Sequence, residues 1–294
     1  MKDIALVLSS GGARGLAHIG VIEELESHGY HISSIAGCSM GALIGGVYAA
    51  GKLAEFREWM KTVDRKKMLE LTDFSLSLNH LVKGKRIIEA IMEFVPDVPI
   101  EDLPIPYNAV ATDLKNGREV VFSRGSLFEA IRASISLPSF YEPVERDEMI
   151  LIDGGVINPI PLNRVSRKTG DILVGVDVSG HDYKSQWEEM QRLTAWQKKD
   201  KSLTAKILDK ILPDNLEFNY YTMLSRCSSV MIRQNSILMT KLMNPDMLID
   251  IQMNRYGGFD YDKSEKIIAI GRQKTAAALS KFEQNAKSQE FYLV

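Results

Sequence analysis

A mixed, mostly parallel β-sheet flanked by helices, followed by a mainly helical C-terminal segment, is the α/β architecture this sequence predicts. Three observations lead to it. Short apolar runs at residues 4–8, 107–112, 149–153 and 172–178 read as strands, and stretches with helical apolar spacing lie between several of them. Glycine-rich turns stand at the ends of three strand candidates, where a chain leaves a sheet for a helix. After residue 180 the strand signals stop. The chain therefore divides into an α/β unit over 1–180 and a mainly helical extension over 181–294, packed on it.

Residues 4–8, Ile-Ala-Leu-Val-Leu, form an unbroken apolar run, as in a strand buried on both faces. Ser9-Ser10-Gly11-Gly12-Ala13-Arg14-Gly15 follows, then a helix with Leu16, Ile19, Val21, Ile22 and Leu25 at apolar spacing. A glycine loop between strand and helix turns bare backbone N–H groups toward an anion. A dinucleotide fingerprint would need glycine at position 10 and an acidic residue about 20 positions on. Ser10 stands at the first position, and the next strand ends in a different turn, so no cofactor is expected. The remaining reading is an oxyanion hole, whose N–H groups face the charge that grows on an ester carbonyl oxygen.

The second strand candidate, residues 33–36, runs into Gly37-Cys38-Ser39-Met40-Gly41 and then a small, apolar helix over 42–50. A Gly-x-Ser-x-Gly turn is strained, and its flanking glycines remove side chains that would clash. Ser39 is thereby pushed out at the top of the sheet, at the positive end of a helix, where a nucleophile belongs. Cys38 is expected to point away from that site.

Helices are expected at 53–63 and 84–95, a strand at 107–112, and a hairpin turn at Lys115-Asn116-Gly117 leading into 118–123. Residues 126–136 read as a helix stopped by Pro138, with strands near 141–144 and at 149–153. The last of these ends in Asp153-Gly154-Gly155. A strand does not hide an aspartate without a partner. Asp153 is read either as a base for a neighbouring serine hydroxyl or as a cap of its own turn. Pro159 and Pro161 are expected to start a helix that leads to the strand at 172–178.

Taken together, Ser10-Gly11-Gly12-Ala13-Arg14-Gly15, the Gly37 to Gly41 elbow and Asp153-Gly154-Gly155 resemble the patatin-like phospholipase family. That family shows a Gly-Gly-Gly-x-Arg/Lys-Gly loop, a Gly-x-Ser-x-Gly elbow and an Asp-Gly-Gly/Ala motif in this order. Ala111-Thr112-Asp113-Leu114, residues 117–122 and residues 130–138 look like it too, so the resemblance covers roughly residues 4–180. It implies a three-layer fold and a serine hydrolase with a dyad: Ser39 as nucleophile on a fatty-acyl ester of a lipid, Asp153 as general base. It also implies oxyanion donors at Gly11, Gly12 and Met40, and support of the loop by Gly15 and by Arg14, which would otherwise serve a phosphate or a structural ion pair. Ser9-Ser10 departs from the family's glycines and bears on substrate breadth.

A second reading is a Ser39-Asp153-His181 triad, since His181 is the one histidine after Asp153. A third is a non-catalytic lipid-binding or regulatory protein on the same scaffold. In a dyad without imidazole, activity should not collapse with a histidine near pH 6.5. His18 reads as packed in a helix, and His28, His31 and His80 as turn residues; no metal-ligand spacing occurs.

A net charge of −2 argues against a nucleic-acid partner. No leader segment, no run of 18 apolar residues and only two cysteines are found, so a reducing cytoplasm is the expected setting. Oligomeric state has no signature. Trp187, Met190, Leu193 and Trp196, followed by Lys198, Lys199 and Lys201, read as a packed amphipathic helix or as a peripheral membrane contact. Met223, Met231, Met239 and Met243 suit core filling or an acyl-chain groove. Residues 262–283 read as a long helix with Ile267, Ile268, Ile270, Ala277 and Leu279 inward.

Overall fold

The structure, a computed structural model, describes residues 2–71, 85–138, 140–180, 220–252, 256–257 and 260–291. Among the described residues eight strands form one sheet: β1 (Lys2–Leu8), β2 (Tyr30–Cys38), β3 (Tyr107–Asp113), β4 (Arg118–Phe122), β5 (Val144–Arg146), β6 (Met149–Asp153), β7 (Ile172–Asp177) and β8 (Met247–Asp250). Their order is β5-β6-β3-β2-β1-β7-β8, with β4 also pairing β3. The contiguous strands β3, β2, β1, β7 and β8 are parallel, and β4, β5 and β6 add antiparallel pairs at one side. The mixed, mostly parallel sheet with flanking helices is the architecture expected.

The helices are α1 (Ala17–Ser27), α2 (Met40–Ala49), α3 (Leu53–Lys61), α4 (Arg65–Leu71), α5 (Lys85–Met92), α6 (Leu127–Ser134), α7 (Tyr220–Met243) and α8 (Ser264–Phe291). Side-chain alternation along β1 divides the core. Ile4, Leu6 and Leu8 pack in the larger cluster with residues of α1, α2 and α8, while Ala5 and Val7 join Ile160, Leu162, Val165 and Leu173 on the other face. Met239 and Met243 of α7 pack against that second cluster, which makes them core filling, whereas Met231 is exposed.

Three expectations about the fold need correction. No helix follows Pro159: residues 159–166 run as turns, because Pro159 commits its carbonyl to the Ser10 N–H at 2.8 Å and Leu162 N–H closes a tight turn on Ile160 at 2.7 Å. The segment itself covers the sheet in the helix's place. The C-terminal part is mainly helical, as expected, and adds one short strand, with Val174 to Asp177 pairing Met247 to Asp250. On α8, Ala277 is exposed and Ile270 half-buried; Ile267, Ile268, Gly271, Thr275 and Leu279 hold the inward face at spacings of three and four. His31 lies in β2, not in a turn, with Nδ1 2.8 Å from Asp3.

Helix α8 reaches the core by close backbone approach to α1. A Cβ on Gly20 would overlap the Ile268 carbonyl, and one on Gly271 would overlap the Ala17 carbonyl. This crossing fastens the end of the chain to the helix that follows the glycine loop.

Candidate active site

Strands β1 and β2 are parallel neighbours with Leu8 opposite Gly37, so the glycine loop and the serine turn leave the sheet side by side. Ser39 has φ 54° and ψ −122°, a conformation that L-residues rarely adopt and that costs about 1–3 kcal/mol. Its carbonyl accepts the Leu43 N–H at 3.1 Å and so opens α2. Its own N–H donates to Ser134 Oγ at 2.8 Å, and that hydroxyl donates onward to the Val110 carbonyl at 2.7 Å. The turn is closed too tightly for side chains at its ends: a Cβ on Gly37 would overlap the Gly41 carbonyl, and one on Gly41 the Leu8 carbonyl.

The loop after β1 is latched from several sides. Ser9 Oγ accepts the Val178 N–H at 3.0 Å and donates to the Ser10 carbonyl at 3.1 Å. His18 Nε2 lies 2.9 Å from the Ser9 carbonyl, which only accepts, so that nitrogen carries the proton. Burial pushes the His18 imidazole down to about 4, against the weaker upward pull of that hydrogen bond, which keeps it neutral at working pH. Arg14 Nε donates to the Gly11 carbonyl at 3.2 Å, inside the loop it was expected to support. Gly15 leaves room for the Met40 side chain, and Gly11 for the Val178 side chain. Gly12 opens a short 3₁₀ turn, Gly12–Leu16, and Met40 opens α2; the first N–H groups of such turns have no acceptor within them.

Asp153 enters from the far side of β3. It pairs with Ala111, one residue beyond the Val110–Cys38 pair, which sets it at the level of the serine turn. Its N–H donates to the Ser136 carbonyl at 2.9 Å. Oδ1 accepts the Gly155 N–H at 2.7 Å, so the capping role is real, and the neighbouring Ser39 side chain draws the pKa of the same carboxylate down. The carboxyl is 4% exposed, and burial lifts it to about 6 although these neighbours pull it down. A Cβ on Gly154 would overlap the Val110 carbonyl, and Gly155 lies beneath Ser10 Oγ.

Cys38 does not point away. Its thiol donates to Asp153 Oδ1 at 3.9 Å. Burial first, and then the neighbouring Asp153 charge, push the thiol well up, so it stays protonated and serves as a donor. His18 is packed in α1, as read from the sequence, but sequence reasoning missed the latch that it and Ser9 make on the loop, and it missed Ser134. Ser134 lies inside the 130–138 stretch that drew notice, yet only the fold brings it to Ser39. His181 and His80 lie outside the described residues, as do Trp187, Met190, Leu193, Trp196 and the lysines after them. Among the described residues no group of His, Cys, Asp and Glu is arranged to hold a metal ion, and no helix is long and apolar enough to cross a membrane.

A sheet of this topology, with a glycine loop and a serine turn side by side and an aspartate delivered to the serine, defines a class of α/β protein. Residues 6–165 match the family model for "Patatin-like phospholipase", and the chain belongs to that family. It is 47% identical over 179 residues to an "uncharacterized NTE family protein" of Mycobacterium tuberculosis, covering 61% of this chain and 50% of that one. It is 31% identical over 188 residues to "Neuropathy target esterase sws" of Drosophila melanogaster, covering 62% of this chain and 13% of that one. The chain thus spans about half the length of the mycobacterial relatives it matches at 47% identity. A crystal structure of VipD from Legionella pneumophila shows a more distant likeness, at 12% identity and a TM-score of 0.46 over 96% of this chain and 67% of that one.

Proposed function

We propose that this protein is a serine acyl-ester hydrolase that cleaves fatty-acyl ester bonds of lipids through Ser39 and Asp153. The observation that carries the proposal is the Asp153 carboxylate set at the level of the Ser39 turn, drawn down by the Ser39 side chain yet lifted to about 6 by burial. An ordinary aspartate, with a pKa of about 4, is a weak base for a hydroxyl; one raised toward neutrality is better matched to the task and still ionised at pH 7. Family membership and the likeness to a protein named as an esterase support the same chemistry.

In this reading Ser39 Oγ attacks the ester carbonyl while its proton passes to Asp153. The oxyanion forms against the N–H groups of Gly11, Gly12 and Met40, which are held by the latched loop and the start of α2. Collapse breaks the bond to the alcohol, which leaves with the proton from Asp153. Water then attacks the acyl-Ser39, giving its proton to Asp153, and the fatty acid departs as Ser39 recovers its own. The strained turn stays fixed throughout, so no backbone rearrangement is asked of the chemical steps. The substrate is presented at a lipid surface, with peripheral contact by the protein.

The test is hydrolysis of p-nitrophenyl butyrate and of phospholipid and lysophospholipid dispersions by the parent and by Ser39→Ala. Activity in the parent and its loss in the variant are expected. Equal activity in the two, or none in a folded parent, would overturn the proposal.

A further inference from the structure

Resting on the reading of Ser39 and Asp153 as nucleophile and base, we propose that the C-terminal end of α6 sets their separation, with the Ser134 hydroxyl as the positioning group. Residues two apart at this helix end hold both partners. Ser134 Oγ takes the Ser39 N–H at 2.8 Å, and the Ser136 carbonyl takes the Asp153 N–H at 2.9 Å. Ser134 is fully buried, so water cannot replace it. Its own proton is fixed on the Val110 carbonyl at 2.7 Å, which leaves an oxygen lone pair facing Ser39 and fixes the rotor.

The helix is anchored well enough to serve as a rigid reference. At its start, the Ser126 side chain accepts the Glu129 N–H at 3.0 Å and itself donates to Asp97 at 2.8 Å. Leu127, Ala130, Ile131 and Ala133 are fully buried along its length. Beyond its end, Arg132 donates to Ser136 Oγ at 2.6 Å and to the Glu142 carbonyl at 2.8 Å, which staples the turn that carries the Ser136 carbonyl. Ser39 sits in a conformation it would leave if released, and the bond to Ser134 is what holds its backbone N–H there. A further consequence is chemical: the Ser39 N–H is committed to Ser134, so the oxyanion must be met by other donors.

The experiment compares the parent with Ser134→Ala and the near-isosteric Ser134→Cys, a poorer hydrogen-bonding group. Three quantities are read: kcat and KM on p-nitrophenyl butyrate, the rate of inactivation by a fluorophosphonate, and a crystal structure of Ser134→Ala. The proposal expects kcat and inactivation rate to fall about tenfold to 100-fold in Ser134→Ala, with KM within about twofold and Ser134→Cys in between. It also expects Ser39 to leave its positive φ and its side chain to leave Asp153. If Ser134→Ala does not fold, the Ser134→Cys comparison decides the matter by the same kcat-against-KM split and its own crystal structure. Unchanged Ser39 φ and an unchanged Ser39–Asp153 separation in the folded variants would overturn the proposal, whatever the rates. A folded parent inert toward ester and fluorophosphonate would instead sink the hydrolase reading, while the crystallographic comparison would still decide whether Ser134 positions Ser39.

Discussion

The thiol of Cys38 and the carboxylate of Asp153 meet across β3, with Sγ 3.9 Å from Oδ1. Cys38, itself fully buried, therefore borders the carboxylate proposed as base, and its proton helps to hold negative charge on Asp153. Cys38→Ala removes that donor from a buried carboxylate. The acid limb of activity is expected to move to higher pH, by up to about one pH unit, since a bond to a charged group contributes roughly 1.5 kcal/mol and sulfur is a weak donor. A pH profile of kcat/KM checks this; an unmoved limb would show that the thiol does not act on Asp153.

The pH profile of the parent follows from Asp153 itself. A carboxylate lifted to about 6 must be ionised to accept the serine proton, so activity should fall as pH drops below about 6 and level off above it. That limb lies close to where a histidine titrates, so its position alone does not separate a dyad from a triad. The variant His181→Ala does: kcat/KM should keep both its value and its limb.

Stability carries the opposite sign. The folded pKa of Asp153, about 6, lies above the unfolded value of 3.8, so the native state keeps its proton longer. Ionised Asp153 then opposes folding above about pH 6 by on the order of 3 kcal/mol, and the effect vanishes below about pH 4. His18, lowered to about 4, loses stability as pH falls from 6.5, and so offsets the trend in the parent. Asp153→Asn isolates the first effect, because its side-chain oxygen still accepts the Gly155 N–H. Urea unfolding should find the variant more stable than the parent at pH 7.5 and equal to it below pH 4. A variant less stable at pH 7.5 would contradict the assignment of the shift to burial.

The close crossing of α1 and α8 predicts how the end of the chain is held. Gly271→Ala would drive a Cβ into the Ala17 carbonyl, so the helices must part and the melting temperature should drop by several degrees. A chain truncated at residue 180 loses β8 and α8 together and exposes the outer edge of β7. It is expected to be insoluble or to unfold without cooperativity, read by circular dichroism on heating.

What the sequence disclosed and what it withheld divide along a physical line. The three glycine motifs were legible because each is a local demand on the backbone: Gly37 and Gly41 close on one another and on β1, and a strand end with an aspartate announces its need for partners. The β1 run was legible because a strand covered on both faces leaves no room for polar residues. The burial of His18 could be read, but the partners of Ser134, Ser9 and His18 could not, since a buried hydroxyl or imidazole has no periodicity and its partner is chosen by long-range packing. The missing helix after Pro159 failed for the same reason, its carbonyl having been claimed by Ser10 from the far end of the sequence. Strand β8 is four residues long with alternating burial, too short to stand out before it meets β7.

Labelling by a fluorophosphonate, with the adduct mapped by mass spectrometry, separates the dyad from the triad when done on the parent, Asp153→Asn and His181→Ala. A Ser39–Asp153 dyad gives an adduct on Ser39 in the parent, loses it in Asp153→Asn and keeps it in His181→Ala. Labelling that survives Asp153→Asn but disappears with His181→Ala would contradict the dyad, and a folded parent that takes no label at Ser39 would contradict the hydrolase reading altogether.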